Sequence, residues 1–229
     1  MPLTLYYDER SPPVRSVLML IKMLNITVEL KEVDLFKREQ LRPEFLELNP
    51  AHTVPVLVDD DLTLTDSHAI LIHLCEKYQG GDLQLWPKDD YKERMQVLNL
   101  LLFSCSVVFR RDSDVMSDIV RKTFPKIDLE YHQRKIHEVY DMMERYLGRN
   151  KYLASDKLTI ADLSAVTTLS TVNLIFPIES TTEPKWPLLA SWMQRLRQLP
   201  EYQINEKGLN IFHEVLKVYG KFDCNTSSE

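Results

Sequence analysis

This chain of 229 residues has little that would suit a cross-linked, metal-clipped or membrane-spanning protein. Its three cysteines, Cys75, Cys105 and Cys224, are an odd number at wide spacings, which excludes a disulfide framework and a C-x-x-C redox or zinc site. Its six histidines form no H-x-x-x-H pair, so no metal is expected. No stretch approaches the roughly 20 consecutive apolar residues of a membrane span. The start lacks a basic segment followed by an apolar one, so the cytosol is the expected compartment and no membrane insertion is expected. Positive charge is also short: 28 Lys and Arg against 34 Asp and Glu give a net charge of −6. That removes the bulk electrostatic reason to bind nucleic acid or anionic lipid. Neither a repeat nor a low-complexity tract is visible.

What is present changes texture near residue 81. LTLYY, from Leu3, reads as a short strand, and Val14, Val17, Leu18, Ile21 and Leu24 then recur at helical spacing. ITVELKEVDL is β-branched and alternating, and VPVLV and LTLT flank Asp59-Asp60-Asp61 as in a hairpin. A further helix runs through Ala69, Ile70, Leu71, Leu74 and Tyr78 and is predicted to end at Gly80-Gly81. The order β-α-β-α-β-β-α over about 80 residues suits a small mixed sheet covered by helices. From Tyr91 onward the pattern is almost entirely helical, with one helix opening at Thr159. Residues 1–81 and 90–229 are therefore expected to form an α/β domain and an all-α domain, joined through Gly80 to Asp89.

Two polar positions stand at predicted helix starts. Ser11 precedes Pro12-Pro13, and proline is well placed in a first helical turn because its missing N–H has no intrahelical partner. Asp66-Ser67 precedes AILIHL, where helix amides can meet an anion and the carboxylate an ammonium. Read on their own, both are equally plain helix caps. Thr159 with Asp162 has capping-box spacing and is assigned to folding.

The strings ERSPPVRS, NPAHTVPVLVDDDLTLTDSHAI and LTIADLS, in this order, resemble the cytosolic glutathione S-transferases over essentially the whole chain. The serine after the first strand and the helix around FRRDSD resemble the insect delta and epsilon classes. YYDERSPPVRS, TDSHAILIHL, VLNLLLF and VTTLSTVNL resemble epsilon-type members that serve the ecdysteroid pathway. The resemblance implies a thioredoxin-like N-terminal domain, a helical C-terminal domain, glutathione as co-substrate and a homodimer. It assigns Ser11 to activation of the glutathione thiol, by a hydroxyl hydrogen bond at the positive end of a helix that favours the thiolate. It makes the Val54-Pro55 bond cis, with Val54 pairing with the cysteinyl part. It gives Asp66 and Ser67 the glutamyl end, Gln40 and His52 the glycyl end, and places His68 where delta-type enzymes often carry arginine.

The second ligand is expected on the helical side. Counted from Phe109, residues Asp112, Ser113, Met116 and Val120 share one helix face, which mixes apolar and polar groups. The resemblance lines a hydrophobic substrate pocket with that face, Pro13, Leu35, Phe36 and Thr171. A carboxylate facing such a pocket needs a compensating partner, and the hydroxyl of a steroid can supply it to Asp112. Read from spacing alone, Asp112 equally pairs with Arg110 or Arg111 at the surface. A non-catalytic steroid or lipid carrier and a general detoxification transferase remain as alternatives.

Overall fold

The computed structural model describes residues 3–81, 83–121, 127–178 and 185–220. β1 (Thr4–Tyr7), α1 (Pro12–Met23), β2 (Glu29–Glu32), α2 (Pro43–Leu48), β3 (Val56–Asp59), β4 (Leu62–Leu64) and α3 (Ser67–Tyr78) follow in the expected order. The strands form one sheet in the order β2-β1-β3-β4, with β1 parallel to β2 and antiparallel to β3, and β3 antiparallel to β4. The exposed edge strand β2 reads Glu-Leu-Lys-Glu, and its charges discourage pairing with another chain. α3 stops at Tyr78, before the glycines, because Gln79 turns extended and its side-chain amide bonds both backbone groups of Trp86.

Among the described residues the rest is helical: α4 (Tyr91–Phe103), α5 (Arg110–Arg121), α6 (Leu129–Leu147), α7 (Ile160–Val172), α8 (Pro187–Arg197) and α9 (Tyr202–Gly220). Asp90 and Asp128 cap α4 and α6 by accepting the amides of Glu93 and Tyr131. The helical run from Tyr91 to Arg121 is interrupted by one π-helical turn, Ser104–Phe109, which the sequence pattern did not announce. α7 is buried on every side, as a helix without a polar face must be. Asp162 closes its start by accepting from Thr159 N and Oγ1, and also from Leu153 N and Trp192 Nε1, so every bond of this buried carboxylate serves the fold.

One apolar core spans both regions, joining Leu5, Leu20 and Ile70 to Val97, Tyr140, Leu169 and Trp192. α1 packs on α3 on one side and on α7 and α9 on the other, so its N-terminus opens where the two regions meet. The two regions approach tightly at Gly208 in α9, where a Cβ would stand 2.2 Å from Glu9 O and 2.6 Å from Arg15 Cδ. The carbonyl belongs to backbone and cannot swing aside. Gly208→Ala is expected to lower the stability of the fold by about 1–3 kcal/mol in denaturant unfolding, as overpacking does. Gly148→Ala, whose Cβ would meet nothing nearer than 3.4 Å, is the control and should be close to neutral.

Candidate functional site

Ser11 stands at the N-cap of α1, and its side chain makes no capping hydrogen bond. Its backbone N–H donates to Asp8 O at 3.0 Å and its carbonyl accepts from Arg15 N, so the residue is fixed while the hydroxyl is not spent on the helix. It lines two adjoining cavities, of about 820 Å³ and about 480 Å³. Leu35, Gln40, His52, Phe109 and Ser113 line both as well, so Ser11 sits on a shared seam.

The smaller cavity gathers Val54, Pro55, Asp66, Ser67 and His68, the residues assigned to glutathione, together with Pro13. The Val54-Pro55 peptide is cis. Asp66 caps α3 by accepting from His68 N at 2.8 Å and Ala69 N at 3.4 Å, and its side chain is exposed. The cap reading of this position therefore describes the structure too, and leaves the carboxylate facing outward. The His68 ring lies 3.2 Å from Asp66 Oδ1 and 2.8 Å from Ser164 Oγ, and this contact holds Asp66 below the usual carboxylate range. Ser164 in turn meets Ser104 Oγ at 2.8 Å, so a line of polar contacts runs from α3 through α7 to the π turn. Ligand atoms of Asp66, His68 and Cys105 lie within 4.8 Å of one another, but His68 has both ring nitrogens engaged. Gln40 reaches Leu35 O only at 3.5 Å, and its Oε1 is buried without a hydrogen bond.

The larger cavity has Phe36, Met116, Thr171 and Asp112 on its walls. Pro13 is absent from these walls and Pro12 takes its place; the side chain of Val120 lies outside the described residues. Asp112 is 3% exposed, and Arg110 pairs with Asp114 instead, at 3.0 Å. Asp112 Oδ1 makes no hydrogen bond. Burial pushes its carboxyl up to about 7, against the opposing pull of the Arg15 guanidinium. Arg15 itself is fully buried and donates to Thr167 O at 3.0 Å and to Thr171 Oγ1.

Sequence reasoning passed over Arg10, Arg15 and Phe212. Arg10 and Arg15 lie within four residues of Ser11, and no spacing or motif sets them apart in the sequence. Phe212 comes from α9, about a hundred residues beyond Asp112, and no local pattern links it to the cavity. Thr168 and Ser164 reach the smaller cavity from α7, a helix whose start was assigned to folding alone.

Comparison with known proteins fits this arrangement. Residues 5–81 match the glutathione S-transferase N-terminal domain family and residues 96–200 the glutathione S-transferase C-terminal domain family. The chain is 37% identical over 208 residues to glutathione S-transferase 1 of Manduca sexta, covering 89% of this chain and 91% of that one. It superposes on an epsilon-class glutathione S-transferase of the housefly, Musca domestica, with TM-score 0.87 at 36% identity, covering 95% of this chain and 98% of that one. It likewise resembles glutathione transferase E6 of Drosophila melanogaster (TM-score 0.86, 38% identity, 95% and 97% covered). A glutathione transferase homolog of Drosophila mojavensis with bound glutathione gives TM-score 0.89 at 34% identity, with 96% and 98% covered. With a thioredoxin-like sheet domain, a helical domain and a seam between two cavities at the start of α1, the chain belongs to the glutathione S-transferase family, whose co-substrate is glutathione.

Proposed function

We propose that Ser11 stabilises the thiolate of glutathione held in the smaller cavity, and that the thiolate attacks an apolar electrophile held in the larger one. The observation that carries this is the Ser11 hydroxyl: it stands at a helix N-terminus, makes no capping bond, and lines both cavities. A hydroxyl donor and the positive end of α1 both favour the charged form of a thiol whose ordinary pKa is about 8.5. Asp66 and Ser67 suit the two charges of a γ-glutamyl group, Val54 the cysteinyl backbone, and His52 and Gln40 the glycyl end, with His68 bracing Asp66. Holding both reactants at one seam supplies proximity.

The second ligand in this reading is a hydroxylated steroid of ecdysteroid biosynthesis, with Phe109, Met116, Phe36 and Leu35 against its rings and Asp112 accepting its hydroxyl. YYDERSPPVRS, TDSHAILIHL and FRRDSD resemble the matching strings of Noppera-bo, the epsilon-type transferase of that pathway. The supporting feature of this chain is the buried Asp112 Oδ1, which has no hydrogen bond of its own. A steroid carrier would use Asp112 in the same way without needing Ser11. A homodimer working in the cytosol is part of the proposal and rests on the family resemblance.

Ser11→Ala separates catalysis from carriage. A hydrogen bond to a charged partner is worth about 1.5–3 kcal/mol, so conjugation should fall roughly ten- to a hundredfold while hydroxylated-steroid affinity is kept. An undiminished conjugation rate would rule out the role given to Ser11. For Asp112 the sign follows from a folded pKa of about 7, above the ordinary 3.8. The folded state holds the proton more tightly, so the stability this group contributes is full below about pH 4 and lost as pH rises through 7. Asp112→Asn should therefore gain on the wild type in thermal stability between pH 4 and pH 7. The gain should reach a few kcal/mol, since each pH unit between the two pKa values corresponds to about 1.4 kcal/mol. The same substitution should remove any rise in steroid affinity with pH across 7. Steroid affinity that is equal in the two proteins at every pH would count against the ligand role of Asp112.

A further inference from the structure

We infer that Arg10 is a positioning residue for the apolar ligand: its guanidinium joins two carboxylates into a clasp that holds the Leu35-Phe36 wall of the larger cavity against the loop carrying Ser11. The inference rests on the assignment of that cavity to the apolar ligand made above.

The geometry is closed on all sides. Arg10 Nε donates to Asp8 Oδ1 at 2.7 Å, and Nη2 donates to Asp8 Oδ2 at 2.6 Å and to Asp34 Oδ1 at 2.7 Å. Asp8, in the loop after β1, is 2% exposed. Each carboxylate also grips the wall through its backbone. Leu35 N donates to Asp8 Oδ2 at 3.1 Å, and Phe36 N and Lys37 N donate to Asp34 Oδ1 at 3.0 and 3.2 Å. The Arg10 guanidinium then lies over the Phe36 ring, 4.4 Å from its centroid. Arg10, Ser11, Leu35 and Phe36 all line the larger cavity.

Charge explains why an arginine stands here. Both carboxylates meet the same guanidinium nitrogen, so without a cation between them they would repel at close range in a place with little water. A guanidinium fork satisfies Asp8 through two parallel bonds and still reaches Asp34, which the single ammonium of lysine does with less geometric constraint. The hydrogen bond from Arg10 holds Asp34 well below the usual carboxylate range. Burial works against the charge on Arg10, but its bonds to Asp8 and Asp34 outweigh that and raise its pKa. Other charges packed on the clasp are Lys37, 3.2 Å from Asp34 Oδ2 and largely exposed, and Glu39, which accepts from Asp34 N. Lys37 is too solvated to take over the role of Arg10.

The test reads equilibrium binding, so it does not depend on turnover. Affinity for hydroxymethylpyrene, a fluorescent polycyclic alcohol, is measured on the full-length protein for wild type, Arg10→Met and the double variant Arg10→Met/Asp34→Asn, with thermal unfolding run beside it. Arg10→Met should weaken binding about tenfold or more. The double variant should recover to within about threefold of wild type, because an asparagine in place of Asp34 removes the repulsion and keeps the acceptor for Phe36 N and Lys37 N. Unchanged affinity in Arg10→Met overturns the inference. So does a double variant as weak as the single one, the result expected if Arg10 served only as packing. A wild-type protein that does not bind the probe at all would instead overturn the assignment of the larger cavity.

Discussion

Burying a guanidinium is expensive, and Arg15 is buried completely. It reaches from α1 into α7, where Thr167 O and Thr171 Oγ1 accept from one of its nitrogens, while Gly208 of α9 leaves just the space that its Cδ occupies. Beside the shared apolar core, the sheet domain and the helical domain are thus tied by a buried cation four residues from Ser11. Burial lowers its pKa to about 10, which still leaves it charged at neutral pH. Moving α1 away from α7 would strand that charge, so the seam at Ser11 has a fixed geometry.

The same cation sets the character of the larger cavity. A carboxylate in an apolar wall would ordinarily be neutral, and burial does push Asp112 toward that state. Arg15 pulls the other way, and the balance falls near neutrality. In the proposed function, a wall that offers a buried carboxylate oxygen without a hydrogen bond of its own suits molecules that are hydrocarbon over most of their surface and carry a donor. On the Leu35-Phe36 wall Arg10 bridges Asp8 and Asp34, so these charges are engaged with one another while they shape the wall. The π-helical turn before α5 places Phe109 at the start of the same face, a common location for such turns near binding sites.

Much of the fold could be read from the chain because its signals are local. Pro12-Pro13 after Ser11 marks a helix start, Asp59 to Asp61 marks a hairpin, and Thr159 with Asp162 marks a capping box. The shared face of Phe109, Asp112, Ser113 and Met116 was legible too, since all four lie at or beyond the end of the π turn, where ordinary helical spacing resumes. Whether Asp112 turns inward was not legible: FRRDSD offers two arginines close by, and only the structure shows Arg110 committed to Asp114. Arg15 escaped because its partners lie more than 150 residues away, and Arg10 because its neighbour Asp8 gives no sign of the second carboxylate, Asp34, 24 residues on. Phe212 and Ser164 reach the cavities from helices whose periodicity reports burial but not what they face.

The proposed catalysis depends on thiolate formation at Ser11, and the most direct check is the ultraviolet titration of glutathione bound to the wild-type protein, following thiolate absorbance against pH. A bound thiol titrating at least about one pH unit below its ordinary value near 8.5 is the predicted result. A bound thiol that titrates at or above that value would contradict it, leaving a protein that holds glutathione at the seam without activating it.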